Sequence, residues 1–154
     1  KALFDGVKAM NNDRVMRVCG TRYKGLSISH VEWLNLDAKR NAHRLIFDAF
    51  FKNVDILIAP AAGTPAFEHN QKGPRYSRFL NINGIDYPEM AQTFWAGYSG
   101  VVGLPSVVGP IGQVNGLPVG YQGIAGHGRD FTALAFASAV EKELGGYKPP
   151  PLCL

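Results

Sequence analysis

The chain has 154 residues, 46% hydrophobic and 18% charged, which suits one globular domain over 1–154 and excludes a disordered chain. Its formal net charge is +4, but Arg14, Arg17, Arg22, Lys24, Lys39, Arg40, Arg44, Arg75 and Arg78 are scattered, which reads as solvated surface and not as a nucleic-acid-binding face. No apolar run reaches the ~18 residues needed to cross a bilayer, and the two cysteines, Cys19 and Cys153, make no disulfide framework and point to a reducing, cytoplasmic compartment.

The first element is a helix over 1–19, with Leu3, Val7, Met10 and Arg14 on one side and Val15 and Val18 nearby. It begins at Lys1 without a signal peptide, so the expectation is a chain that starts inside a longer protein. "CGTRYKGLS" breaks it. A stronger helix follows over 29–52, with Ser27 and Ser29 as candidate N-caps whose hydroxyls accept from the free first-turn N–H groups. Val31, Leu34, Ala38, Ala42, Leu45, Ile46, Ala49 and Phe50 form its apolar stripe, widened by Trp33, Leu36, Phe47 and Phe51. A stripe that wide predicts a helix packed on more than one side.

The run 54–59, closed by Pro60, suits a strand buried on both faces of a parallel or mixed sheet. No sustained period is visible over 61–88, and a loop that long in a compact domain is usually functional or packs onto something else. Residues 89–102 suit a helix. Strands are expected over 106–110 and 117–124, joined at Asn115-Gly116, where both residues tolerate positive φ. Pro110 and Pro118 belong at strand ends or edges. The last helix runs over 130–144 with Ala133, Phe136, Ala137, Val140 and Leu144 inward, stopped by Gly145-Gly146 and barred from resuming by Pro149–Pro151. The order of elements gives an α/β layout, although three strands are few for a sheet covered on both faces.

Chemistry-bearing motifs are sparse. Gly97-Tyr98-Ser99-Gly100-Val101 misplaces the last glycine of a G-x-S-x-G nucleophile turn, and no buried strand precedes it. Ser99 is therefore read as a polar helix position and not as a nucleophile. His30, His43, His69 and His127 never pair at i, i+4 and neither cysteine has a nearby ligand, so no metal site is expected. His69 and His127 read as solvent-exposed loop residues. "GIAGHGRD" leads into a helix but lacks both G-x-G-x-x-G spacing and a phosphate-loop lysine.

Taken together, the segments resemble the amidase signature family. "VDILIAPAAGTPAF" (54–67) looks like its D-V-L-x-x-P-x-x-x-x-P-A-F, and "GLPSVVGPIG" (103–112) resembles its G-L-P-a-x-x-x-P-x-G. "GLPVGYQGIAGHGRDFTALAFASAVEKELGGYKPPP" (116–151) resembles its closing strand, aspartate-led helix and terminal prolines. "NING" (81–84) followed by Trp95 is similar to general bacterial amidases more than to the tRNA-amidotransferase branch. The resemblance runs from about Arg22 to the end, and the order and spacing of the motifs make it specific.

The resemblance implies an α/β layered protein, a mixed sheet flanked by helices, of which this chain is the C-terminal part only. It also implies amide C–N hydrolysis by a Ser–cis-Ser–Lys triad, without metal or cofactor, in which a neutral lysine activates the nucleophile through a bridging serine. Glycine-rich loop N–H groups form the oxyanion hole in that family. The bridging serine sits in a Gly-Gly-Ser-Ser-Gly-Gly-like segment, and Ser27, Ser29, Ser77, Ser99, Ser106 and Ser138 offer no Ser-Ser pair. No catalytic residue carries over. What carries over is pocket wall on the acyl side of the cleft: Ala61, Ala62 and Thr64 after the strand, and Thr93, Trp95 and Ala96 before G-L-P, with Trp95 either stacking on or capping an apolar acyl group or serving as ordinary core.

The partners implied are a small-molecule amide and an upstream amidase segment, with no nucleic acid and no membrane. A fragment of this kind is expected to be inactive alone. It would expose apolar surface where the upstream segment docks, so a homodimer or aggregate is expected of it. The alternative is a non-catalytic binding or interaction module derived from the amidase fold, which predicts a monodisperse isolated chain.

Overall fold

A computed structural model describes residues 16–149. The expected helix over 1–19 lies mostly outside the described residues. Where its break was expected, the chain stays helical, as a π-turn over Met16–Gly20, an α-turn over Thr21–Lys24 and a 3-10 turn over Gly25–Ser27. The Thr21 hydroxyl donates to the Arg17 carbonyl at 3.0 Å and so braces the first junction.

Helix α1 is His30–Phe50. Ser29, not Ser27, is its N-cap: the Ser29 hydroxyl accepts from the Glu32 N–H at 3.2 Å, and the Glu32 carboxylate accepts from the Ser29 N–H at 2.8 Å. That reciprocal pair is a capping box. The expectation that α1 is packed on more than one side is corrected, because none of its residues is buried among the described residues. It is anchored towards its C-terminal end, through Arg44, whose Nε donates to the Val102 carbonyl at 2.9 Å, and through Phe47 and Phe51 against Val102, Leu104 and Ile124.

Strand β1 is Ile56–Pro60, β2 is Phe79–Ile82, β3 is Ile85–Pro88, β4 is Ser106–Val114 and β5 is Leu117–Ala125. They form a three-stranded sheet in the order β1-β5-β4 and a two-stranded sheet β2-β3, with every pairing antiparallel. The α/β class holds, but the parallel component does not occur among the described residues. The 54–59 run is an edge strand and is not buried on both faces: Ile58 is 59% exposed. An apolar run says that a surface seeks cover and leaves open what supplies it.

Residues 61–88 are less irregular than expected. They contain a 3-10 turn over Arg75–Ser77 and the β2–β3 hairpin. Asn83 (φ 53°) and Gly84 (φ 79°) make a two-residue turn with positive φ at both positions, which matches the right-handed twist of the strands. The 89–102 helix is split into a 3-10 segment Glu89–Thr93 and helix α2, Ala96–Val102, closed by left-handed Gly103. Strands β4 and β5 extend further than predicted, so Pro110 lies inside β4. It is tolerated because β4 is an edge and its register shifts between Pro110 and Gly112.

Helix α3 is Asp130–Leu144, ended by left-handed Gly145, as expected. Its inward residue Ala133 is buried, and the Phe136 ring meets Tyr121 edge-on at 5.6 Å. Leu144, expected inward, is exposed. The sheet thus has α3 on one face, and α2 with the end of α1 on the other. A second small core joins Cys19 to Met90, with Met16, Tyr76 and Phe79 around it.

Candidate functional site

The loop after β1 and the 3-10 segment before α2 are brought together by one side chain. Gln92 accepts from the Gly63 N–H at 2.8 Å and donates to the Thr64 hydroxyl at 2.9 Å. Both ends of the amide are used, so the loop is held in place although it has no secondary structure of its own. No local pattern in the sequence marks Gln92, whose partners lie 28 and 29 residues away.

Two apolar hollows flank this clamp. The first, about 750 Å³, lies between the loop and the β4–β5 hairpin and is lined by Ile58, Ala61, Ala62, Thr64, Phe67 and Val119 among others. The second, about 700 Å³, lies between the β2–β3 hairpin and the 3-10 segment, with Ile82, Tyr87, Met90, Thr93, Phe94 and Trp95 in its wall and Arg17 also on its lining. Gly63 borders both. The six residues expected to form one pocket wall are therefore divided: Ala61, Ala62 and Thr64 face the first hollow, Thr93 and Trp95 the second, and Ala96 neither.

Trp95 is half-buried in an aromatic cluster. It stacks on Tyr98 at 5.7 Å and meets Phe94 edge-on at 5.2 Å, while Phe94 meets Tyr98 edge-on at 5.5 Å. Offset and edge-on contacts of this kind fix ring orientation. The Thr93 hydroxyl donates back to the Met90 carbonyl at 2.9 Å, which closes the 3-10 turn. The hairpin on the other side is braced by Asn81, whose amide donates to Asp86 at 2.9 Å and whose oxygen accepts from the Gly84 N–H at 3.0 Å.

Ser99 is a polar position of helix α2, as read from the sequence. It is buried, accepts from the Gln122 amide at 3.0 Å and from the Ser106 hydroxyl at 3.3 Å, and points its own proton at the Ala96 carbonyl at 3.5 Å. None of these partners is a base able to take a proton. His69 and His127 are exposed, as read from the sequence. Among the described residues no group of three His, Cys, Asp or Glu side chains converges, and no helix is long and apolar enough to cross a membrane.

The amidase family model matches residues 12–134. The indoleacetamide hydrolase of Bradyrhizobium diazoefficiens is 29% identical over 131 residues, 82% of this chain and 23% of that protein. A glutamyl-tRNA(Gln) amidotransferase subunit of Exiguobacterium sibiricum is 33% identical over 106 residues, 69% of this chain and 20% of that protein. A crystal structure of an amidase matches with a TM-score of 0.65 and 26% identity, over 80% of this chain and 27% of that one. An inhibitor-bound structure described for a vestigial protein complex and the origins of an s-triazine catabolic enzyme matches with a TM-score of 0.63 and 26% identity, over 80% of this chain and 26% of that one. The chain therefore spans about a quarter or less of the length of these relatives.

Proposed function

The chain belongs to the amidase family, and from that premise we propose that it supplies the acyl-side wall of an amide-hydrolysing site as the C-terminal part of the family fold. In this reading the nucleophile, bridging serine and lysine stand on another segment, since no Ser-Ser pair occurs in this sequence. The observation that carries the reading is the Gln92 clamp, which ties the loop of Ala61, Ala62 and Thr64 to the segment of Thr93 and Trp95. Two short stretches that are far apart in sequence become one ordered surface between apolar hollows, the kind of wall an uncharged acyl group prefers.

The preferred substrate is an amide with an apolar, aromatic acyl part. Trp95 is held by Phe94 and Tyr98 so that a planar group can lie against the cluster. The aryl-acetamide named in the Bradyrhizobium relative is the natural first probe. The test is a chimera in which the matched region of that relative is replaced by this chain. The chimera is expected to release ammonia from indoleacetamide, the 154-residue chain alone to release none, and Trp95→Ala in the chimera to raise KM more than it lowers kcat. Ammonia release by the lone chain, abolished by Ser99→Ala, would overturn the reading.

A further inference from the structure

Asn-Gly occurs twice in the same structural setting: Asn83-Gly84 joins β2 to β3, and Asn115-Gly116 joins β4 to β5. The two turns share one backbone shape, with φ of 53° and 79° in the first and 51° and 77° in the second. All four residues are exposed. Asparagine before glycine is a chemically labile pair. The side-chain carbonyl carbon lies one ring closure from the next backbone nitrogen, and glycine has no Cβ to shield that nitrogen. What differs between the turns is how the glycine nitrogen is held.

In the β2–β3 turn the Gly84 N–H donates to the Asn81 Oδ1 at 3.0 Å, and the Asn81 amide donates across the hairpin to Asp86 at 2.9 Å. The proton that ring closure must remove is therefore engaged. In the β4–β5 turn the Gly116 N–H has no hydrogen-bond partner among the described residues. The residue three before that glycine is Gln113, one methylene longer than asparagine, and it makes no such bond. This hairpin tip is also weakly held. Beyond the register shift at Pro110/Gly112 it has three pairs, Gly112 with Val119, Gln113 with Pro118 and Val114 with Leu117, and Pro118 has no N–H to give. Residues 111–118 are all exposed, so the tip opens locally at little cost and reaches the backbone geometry that ring closure needs.

We propose that Asn115 is a site of deamidation and that Asn81 protects Asn83 from the same reaction. The Gly116 nitrogen gives its proton to solvent base and attacks the Asn115 side-chain carbonyl carbon. The bond from that carbon to the side-chain nitrogen breaks, ammonia leaves with a proton from solvent, and a succinimide closes. Water then opens the ring. Attack at the side-chain carbonyl gives aspartate, and attack at the main-chain carbonyl gives isoaspartate, in which the chain runs through the former side chain. Isoaspartate lengthens the main chain by one carbon, so a two-residue turn no longer fits the strands it joins. Val114 and Pro118, on either side of the turn, line the first hollow, so the modification alters that wall. The inference stands apart from the amidase reading.

The test is incubation of the 154-residue chain at mildly alkaline pH. Isoaspartate at each site is counted by labelling with a protein isoaspartyl methyltransferase, and both products by peptide mass. Conversion at Asn115 is expected to be at least about fivefold faster than at Asn83, the factor for one net hydrogen bond. In concentrated urea the two rates should converge. Asn81→Ala, and Asn81→Gln, which copies the unbraced turn, should each raise the rate at Asn83 about fivefold and leave that at Asn115 unchanged. Equal rates in the folded chain, a difference that persists in urea, or Asn81 variants that leave Asn83 slow would each overturn the proposal. Asn81 variants that quicken both sites would show that Asn81 supports the whole fold, and would overturn its protective role.

Discussion

The side-chain amide of Gln122 on β5 donates to the hydroxyl of Ser99 on α2 at 3.0 Å, across the layer between sheet and helix. Both residues are buried, and the Gln122 Oε1 has no partner among the described residues. Ser99 is therefore a fastening point for α2. Ser99→Ala strands the Gln122 amide in a dry site and is expected to lower stability by about 1–3 kcal/mol, the range for a buried polar group left unpaired. Adding Gln122→Leu should restore much of the loss, since both polar partners are then gone. Urea unfolding of the single and double variants measures this. A loss of chimera activity at unchanged stability would instead place Ser99 in the chemistry.

Gln92 is the second long-range fastening. Gln92→Ala removes the acceptor for the Gly63 N–H and the donor to Thr64. A hydrogen bond contributes roughly 1 kcal/mol net, so exchange of the Gly63 amide should quicken about thirtyfold once both contacts are lost. The core should be nearly untouched, because Phe51, Val102, Leu104 and Ile124 lie in another cluster. Hydrogen exchange resolved by residue separates the two outcomes: general quickening, instead of quickening confined to 61–67, would show that Gln92 supports the fold and not the loop.

The capping box at the start of α1 gives a pH dependence with a definite sign. The hydrogen bond from the Ser29 N–H, reinforced by the Ser29 hydroxyl, holds the Glu32 carboxyl below the ordinary carboxylate value. A depressed folded value means that the contribution is present above the unfolded value and is lost as pH falls through the folded one. The first turn of α1 should therefore fray on acidification below the ordinary glutamate range. Glu32→Gln should remove that pH step while keeping part of the cap. Exchange rates of the first-turn amides against pH report it, and an unchanged acid step in Glu32→Gln would refute the assignment.

Local signals in the sequence were readable, and pairings across the fold were not. Helix α3 was legible to the residue because its period, its Asp130 start and its Gly145-Gly146 stop are all local. The β4–β5 turn was legible for the same reason. The β2–β3 turn offered the same Asn-Gly dipeptide at Asn83-Gly84, but its strands have four residues each, too short for an alternation to stand out. The stripe of α1 was visible, and its direction was not, because periodicity gives a face and says nothing of which neighbour covers it. The Gln92 side chain with the Gly63 N–H, and Gln122 with Ser99, are contacts 29 and 23 residues apart with no local signature. For the same reason the six wall residues could be named from motifs while their division between two hollows could not.

Phe136 of α3 packs over Gly123, in the middle of β5, with Ile58 beside the glycine on one strand and Val107 on the other. A Cβ there would stand 2.8 Å from Phe136 Cδ1 and 3.3 Å from Val107 Cγ1. Phe136 has little room to yield, since Tyr121, two residues along the same face, already meets its ring. Gly123→Ala is expected to destabilise by about 1–3 kcal/mol through overpacking, and Phe136→Leu in the same chain should recover part of it by removing the ring edge. Gly112→Ala is the matched control: no atom lies within 4 Å of its Cβ position, so its effect should stay within roughly 0.5 kcal/mol. Thermal and urea midpoints of the three variants decide the matter. A neutral Gly123→Ala would mean that α3 rides loosely on the sheet, and the glycine would then need another reason than the approach of Phe136.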